Sequence, residues 1–191
     1  MDNLAKVIRP DIPAGRRVLA ISDIHGNLPF LKGVLAKAGF CREDVLILVG
    51  DLLEKGKDSI GVLRYLMELS RTHTVYPLCG NCDHIDRVFL SGRPGADEKL
   101  WPVFRAWGRR GLIAQLGAEL GMAPQGPEDL PVLRDTVLKS FPREVEFLFS
   151  MPHILEAGRY LFVHGGVPWE DRLEELDAYR CMKNDDFLGQ G

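Results

Sequence analysis

Val18-Leu19-Ala20-Ile21-Ser22-Asp23-Ile24-His25-Gly26-Asn27 is the stretch that decides how the rest of this chain reads. Four apolar residues in a row predict a strand covered on both faces, because such a strand is apolar at every position rather than at alternate ones. The run stops abruptly at Asp23-x-His25-Gly26-Asn27. Asp23 and His25, two residues apart, can enter one pocket and offer a hard oxygen and an imidazole nitrogen to a divalent metal. Gly26 permits a sharp turn, and Asn27 is a good N-cap. Pro29, with Leu28, Leu31, Val34, Leu35 and Ala38 at helical spacing, then predicts an amphipathic helix closed by Gly39.

The same unit recurs. Val45-Leu46-Ile47-Leu48-Val49 predicts a second buried strand ending in Gly50-Asp51, and Asp58 and Ser59 open a helix with Ile60, Leu63, Leu66 and Met67 on one face. Thr74–Leu78 predicts a third strand, ending in Cys79-Gly80-Asn81-Cys82-Asp83-His84. Tyr160–Val163 predicts a fourth, followed by His164-Gly165-Gly166-Val167-Pro168, and 170–179 reads as an acidic helical piece. Alternating strands and helices imply an α/β fold with a mostly parallel sheet, whose ligands bind outside the carboxyl ends of the strands. Asp23, His25, Asp51, Asn81 and Asp83 should therefore meet at one edge. Residues 85–150 differ in character: glycines and prolines punctuate helical patterns at 101–107, 112–120 and 130–140, which predicts a helical insertion over one side of the sheet.

The chain has 191 residues, 46% of them apolar and 27% charged, a length and composition that suit one soluble domain spanning 1–191. With 24 Lys+Arg against 27 Asp+Glu, no basic excess marks a nucleic-acid surface. No secretory leader opens the chain, and no apolar run approaches the roughly 18 residues of a membrane span, so a cytoplasmic protein is expected. The four cysteines, Cys41, Cys79, Cys82 and Cys181, are too scattered for a disulfide framework and read as free thiols. Cys79-x-x-Cys82 lacks the second pair that a structural zinc site needs. His73 and His153 carry no motif, and Trp101, Trp107 and Trp169 read as packing residues, since no basic clusters interleave with them.

Taken in order and spacing, Asp23-x-His25, Gly50-Asp51, Gly80-Asn81-x-Asp83 and His164-Gly165-Gly166 resemble the calcineurin-like metallophosphoesterases, within them the bacterial Ser/Thr protein phosphatase and diadenosine tetraphosphatase branch. The resemblance covers about 17–170 apart from the insertion. It implies a four-layer α-β-β-α sandwich of two mixed sheets with a two-metal site at the strand ends, filled by manganese, iron or zinc. By position, Asp23 and His25 would bind one metal, Asp51 would bridge, and Asn81 and His164 would bind the second. A carboxylate bridging cations roughly 3.5 to 4 Å apart lowers the pKa of a shared water, and the resulting hydroxide attacks phosphorus in line. The implied activity is hydrolysis of phosphate esters, as in phosphomonoesterases and protein phosphatases, on a phosphorylated small molecule or a phosphoprotein. Phosphodiesterase, dinucleoside polyphosphate hydrolase, or a metal-binding but catalytically weakened module are the alternatives.

Three departures from the family pattern bear on the site. Cys82 stands where the protein-phosphatase branch has a histidine that protonates the leaving group; a thiol, with a pKa of about 8.5, donates a proton with less electrostatic help. Asp83 is the carboxylate that orients that histidine in the family, and His84 next to it is a second candidate acid. Lys55 replaces an arginine that grips the substrate phosphate, keeping the charge and losing the fork; Arg180 is a further candidate phosphate contact, with Asn81 beside the metals. Finally, the family continues past a segment like Asp185-Asp186-Phe187-Leu188-Gly189 to a strand ending in Gly-His, which this sequence does not contain. That departure predicts an incomplete C-terminal sheet, a poorly filled second metal, and an exposed strand edge on which another copy of the chain could pair.

Overall fold

The computed structural model describes residues 4–167 and 172–183. In chain order the elements are β1 (Val7–Ile8), β2 (Val18–Ile21), α1 (Leu28–Lys37), β3 (Val45–Val49), α2 (Ser59–Thr72), β4 (Thr74–Leu78), α3 (Asn81–Leu90), α4 (Ala96–Trp107), α5 (Leu112–Glu119), α6 (Leu130–Ser140), α7 (Pro142–Ser150), β5 (Ile154–Ala157), β6 (Tyr160–Val163) and α8 (Ala178–Met182). Local chemistry explains the boundaries near the predicted site. Asn27 accepts from the Phe30 N–H to cap α1, Pro29 sits in its first turn, and Gly39 follows its end at φ 61°. Asp58 caps α2 by accepting from the Gly61 N–H.

Strands β2, β3 and β4 pair in parallel in that order, with α1 and α2 as the crossovers. The second sheet is β1-β5-β6, with β1 parallel and β6 antiparallel to β5. Only this second sheet is mixed among the described strands; the first is wholly parallel, because each of its strands returns through a helix. β3 is apolar throughout because both its faces are covered. Leu46 and Leu48 join the core formed with Leu31, Leu35, Leu63 and Leu66 of the helices. Val45 and Ile47 face the other way and pack with Leu78 and Leu155 between the sheets.

β2 departs from the double-sided burial expected of it. It is the edge strand, Val18 keeps 39% of its surface exposed and Ala20 is exposed, while Leu19 and Ile21 are half-buried. Its apolar run serves one covered face and leaves the other open; at the start of β6, Tyr160 and Leu161 are exposed as well. Helices α3 to α7 account for the predicted insertion. α3, however, begins at Asn81, inside the Gly80-Asn81-Cys82-Asp83 motif, so the motif is a helix start rather than a loop. α7 had no counterpart in the predicted patterns.

The expected acidic helix is broken where it is described, into a 3₁₀ turn at Leu173–Glu175 and the short α8. Pro168, Trp169, Glu170 and the segment Asp185–Gly189 lie outside the described residues. Trp101 stacks on Phe104 at 5.7 Å between centroids, and His73 stacks on Phe40, both as packing residues. No described helix is long and apolar enough to cross a membrane.

Candidate metal centre

The loops after β2 and β3 continue the pairing of their strands. Asp23 donates its N–H to the Gly50 carbonyl, His25 to that of Asp51, and Gly26 to that of Leu52, at 2.9 to 3.1 Å. To hold this course, Asp23, His25, Asp51 and Lys55 all take left-handed backbone angles, φ 56°, 46°, 51° and 60°. Each such non-glycine residue costs on the order of 1 kcal/mol, and such strain collects at functional sites. Gly80 lets the β4–α3 turn approach: a Cβ there would lie 2.1 Å from the Asp51 nitrogen.

Asp51 is the hub. Its side chain is buried, and its two oxygens face different partners: Oδ2 lies 3.7 Å from His25 Nε2, and Oδ1 lies 3.4 Å from His164 Nε2. Each histidine is oriented by a backbone carbonyl at its other nitrogen. His164 Nδ1 is 2.8 Å from the Val49 oxygen, and His25 Nδ1 is 3.4 Å from the Leu53 oxygen. A carbonyl can only accept, so Nδ1 carries the proton and the Nε2 lone pair points inward.

The Nε2 of His164 therefore meets the Asp51 oxygen and, at 3.2 Å, Asn81 Oδ1. The Asn81 amide nitrogen is engaged with Cys82 Sγ at 3.5 Å, which aims its oxygen the same way. On the other side His25 Nε2 meets Asp23 Oδ1 at 3.7 Å as well as Asp51. Electron-pair donors thus converge around Asp51, and carboxylate, imidazole and amide oxygen are the donor set of a first-row divalent cation. Donor atoms of Asp23, Asp51 and His164 lie within 4.8 Å of one another, as do those of His25, Asp51 and Cys82. Asp23, His25, Asp51, Asn81 and His164 thus gather around one carboxylate, and Ser22, which was not singled out from the sequence, donates its hydroxyl to Asp23.

The other candidates separate. Lys55 is at the centre, its Nζ 3.4 Å from His25 Nε2 and 3.9 Å from Asp51 Oδ2, with its side chain half exposed. Cys82 is buried beside Asp51, whose Oδ1 accepts its backbone N–H; burial and then Asp51 push its thiol up to about 12. Asp83 does not orient a catalytic group. It is fully buried, and its carboxylate accepts from the N–H groups of Leu52, Leu53 and Gly80, clasping the Asp51 loop to the start of α3.

His84 is turned away as well. Its ring lies against His153 and Tyr179, and burial followed by the Arg87 charge lowers it to about 4. Three residues past Asn81 on α3, His84 shares roughly that helix face but sits about one turn further along the axis, where its ring packs against His153 and Tyr179. Arg180 is exposed on α8, a helix that holds the loop after His164 by accepting the Gly165 and Gly166 N–H groups at the Cys181 carbonyl.

One feature escaped the sequence reading. Glu54 and Asp86 are both buried side by side, each raised above the usual carboxylate range by burial, Glu54 to about 7. Glu54 Oε1 accepts from the Leu112 N–H, while Glu54 Oε2 and Asp86 Oδ2 have no hydrogen-bond partner among the described residues. An acidic residue among the leucines of Leu52-Leu53-Glu54 was the available signal.

The calcineurin-like phosphoesterase family profile matches residues 16–190. The symmetrical bis(5'-nucleosyl)-tetraphosphatase of Edwardsiella ictaluri is 30% identical over 182 residues, covering 87% of this chain and 63% of that protein. That of Pectobacterium atrosepticum is 33% identical over 192 residues, covering 86% and 62%. This chain therefore spans somewhat less than two thirds of these relatives' length. Among solved structures, a crystal structure provisionally named a diadenosine tetraphosphatase superposes with a TM-score of 0.54 at 25% identity, over 88% of this chain and 58% of that one. A Saccharomyces cerevisiae protein serine/threonine phosphatase shares the fold at a TM-score of 0.52 and 12% identity, over 93% and 48%. With the family profile spanning nearly the whole chain, this protein belongs to the calcineurin-like phosphoesterases.

Proposed function

We propose that the protein is a metal-dependent hydrolase that cleaves the phosphoanhydride chain of dinucleoside polyphosphates, using two divalent cations that share Asp51. The observation that carries this reading is the division of the Asp51 carboxylate, one oxygen toward His25, whose Nε2 also meets Asp23, the other toward His164, whose Nε2 also meets Asn81. Cations bound there supply an acidified water and neutralise charge on the phosphoryl oxygens. The chain's own residues do the rest. The Val49 and Leu53 carbonyls hold both imidazoles with Nε2 inward. Lys55 brings a positive charge to the attacked phosphate, where charge builds in the transition state.

Cys82 bears on which bond breaks. A thiol is a weak proton donor, so a leaving group that departs without prior protonation suits the site better than an alkoxide, and a phosphate of a nucleotide is such a group. In the reaction, water's oxygen bonds to phosphorus, the P–O bond to the bridging oxygen breaks, and the proton from water is released to solvent. Cleavage at the middle of diadenosine tetraphosphate gives two ADP. The relatives named above carry that activity in their names, which supports the anhydride reading over the phosphomonoester one.

The test is hydrolysis of diadenosine tetraphosphate and of p-nitrophenyl phosphate with added manganese, beside Asp51→Asn, with products resolved by chromatography. ADP as the product, lost in Asp51→Asn, is expected. Turnover of the nitrophenyl ester alone would reject the anhydride reading, and metal-loaded protein inert on both would reject the hydrolase reading.

A further inference from the structure

Beside the metal centre runs a cleft of about 960 Å³ between the start of α2 and the insertion helices α4 and α5. Its near end adjoins the centre along the chain. Lys55, whose Nζ is 3.4 Å from His25, is two residues from Lys57, which lines the cleft, and two steps of chain span at most about 7 Å between Cα atoms. Gln115 pins the two walls together at this end: its amide nitrogen reaches the Gly56 and Arg109 carbonyls, and its oxygen accepts the Ile60 N–H. The 3₁₀ turn Gly108–Arg110 is thereby held against the segment between Lys55 and Lys57.

The charges in the cleft do not cancel. Three of its charged groups are engaged: Arg64 forms ion pairs with Glu119 and with Glu144 outside the cleft, and Asp58 caps α2. Lys57 and Arg109, both exposed, form no ion pair among the described residues. The remaining lining is largely apolar and includes Phe104, Ile60 and Met122. Two uncommitted cations followed by an aromatic and aliphatic wall match a ligand that is anionic at one end and a flat ring at the other.

We infer that this cleft receives the nucleoside diphosphate portion of the substrate that lies beyond the attacked phosphorus, its phosphates on Lys57 and Arg109 and its base against Phe104. The inference rests on the dinucleoside polyphosphate reading for the identity of the ligand, and it assigns Lys57 and Arg109 to substrate length rather than to chemistry. A small monoester reaches the metal centre and Lys55 without touching either residue.

The experiment compares the native protein with Lys57→Ala/Arg109→Ala in two measurements, both with manganese present. Direct binding of ADP is followed by calorimetry, and turnover of diadenosine tetraphosphate and p-nitrophenyl phosphate is followed by kinetics. Loss of one or two charge-assisted contacts is expected to weaken ADP binding about tenfold and to raise KM for diadenosine tetraphosphate similarly, with kcat/KM for the nitrophenyl ester unchanged. The exchange Lys57→Arg/Arg109→Lys, which keeps both charges, is expected to restore binding. Equal ADP affinity in native protein and double variant, or no ADP binding by the native protein, overturns the cleft assignment. Absence of diadenosine tetraphosphate turnover with ADP binding that depends on Lys57 and Arg109 would instead reject the substrate reading and leave the cleft in place.

Discussion

Lys55 is the residue where the chain's own chemistry is most exposed to test. Its backbone is held at φ 60°, and its ammonium stands where a substrate oxygen would meet the Asp51 and His25 side chains. On the proposed phosphate contact, Lys55→Ala should lower kcat/KM on phosphate substrates by roughly 10- to 100-fold, the equivalent of about 1.5–3 kcal/mol for a charged hydrogen bond. Metal content, measured by elemental analysis, should stay as in the native protein; loss of metal in the variant would give Lys55 a structural role instead. That this lysine belongs to the centre was legible in the sequence, since it follows Asp51 within one loop. That His84 does not belong was not legible, because the groups that enclose its ring, His153 and Tyr179, reach α3 from distant parts of the chain.

Two elements, the Leu52–Lys55 loop and α3, are bound to each other by carboxylates of opposite character. Asp83 accepts three backbone N–H groups in a site closed to water. Asp83→Ala leaves all three unpaired and should destabilise the fold by about 3 kcal/mol or more, read as a lower urea midpoint, whereas Asp83→Asn should recover part of the loss. Equal midpoints for the native protein and Asp83→Ala would dismiss the clasp.

Glu54 and Asp86 act in the reverse sense. Glu54 is raised from its ordinary 4.5 to about 7, so the folded state holds a proton that the unfolded chain releases. The stability this provides is fully present below about pH 4.5 and is lost as pH rises through 7. Glu54→Gln keeps the acceptor for the Leu112 N–H and removes the ionisation. It should match the native protein at pH 5 and exceed it at pH 8 by on the order of 2 kcal/mol in urea unfolding. Parallel pH profiles for the two would show that the pair does not share a proton. The pairing could not be read from the sequence, because Glu54 and Asp86 belong to separate elements and meet only through tertiary packing.

For the whole molecule, the centre is a point where four distant segments meet: 23–25, 51–55, 81–82 and 164. A cation held by the native state and not by the unfolded chain stabilises by about 2.7 kcal/mol at a hundred times its Kd. For a chain of this size each kcal/mol moves Tm by roughly 2–4 °C, so saturating manganese should raise Tm by about 5–10 °C, and a chelator should reverse it. No shift in calorimetric scans would mean that the donors do not gather a metal in the native state. The same assembly leaves β2 and β6 as sheet edges with apolar side chains open.

What the sequence determined by itself was local in origin. The apolar runs at 18–21, 45–49 and 74–78, each followed by polar ligand types and a capped helix, specified the strand, loop and helix units and the order of Asp23, His25, Asp51, Asn81 and His164. Spacing and residue type are sufficient for that, because periodicity and capping act over a few residues. Tertiary structure alone decided which oxygen of Asp51 faces which histidine, that Asp83 clasps backbone instead of serving the reaction, that Glu54 meets Asp86, and that β2 is an edge. Each of these depends on partners some 30 or more residues apart, or on which neighbour a strand lacks. Such contacts are set by how the two sheets and the insertion helices pack, and no local pattern encodes them.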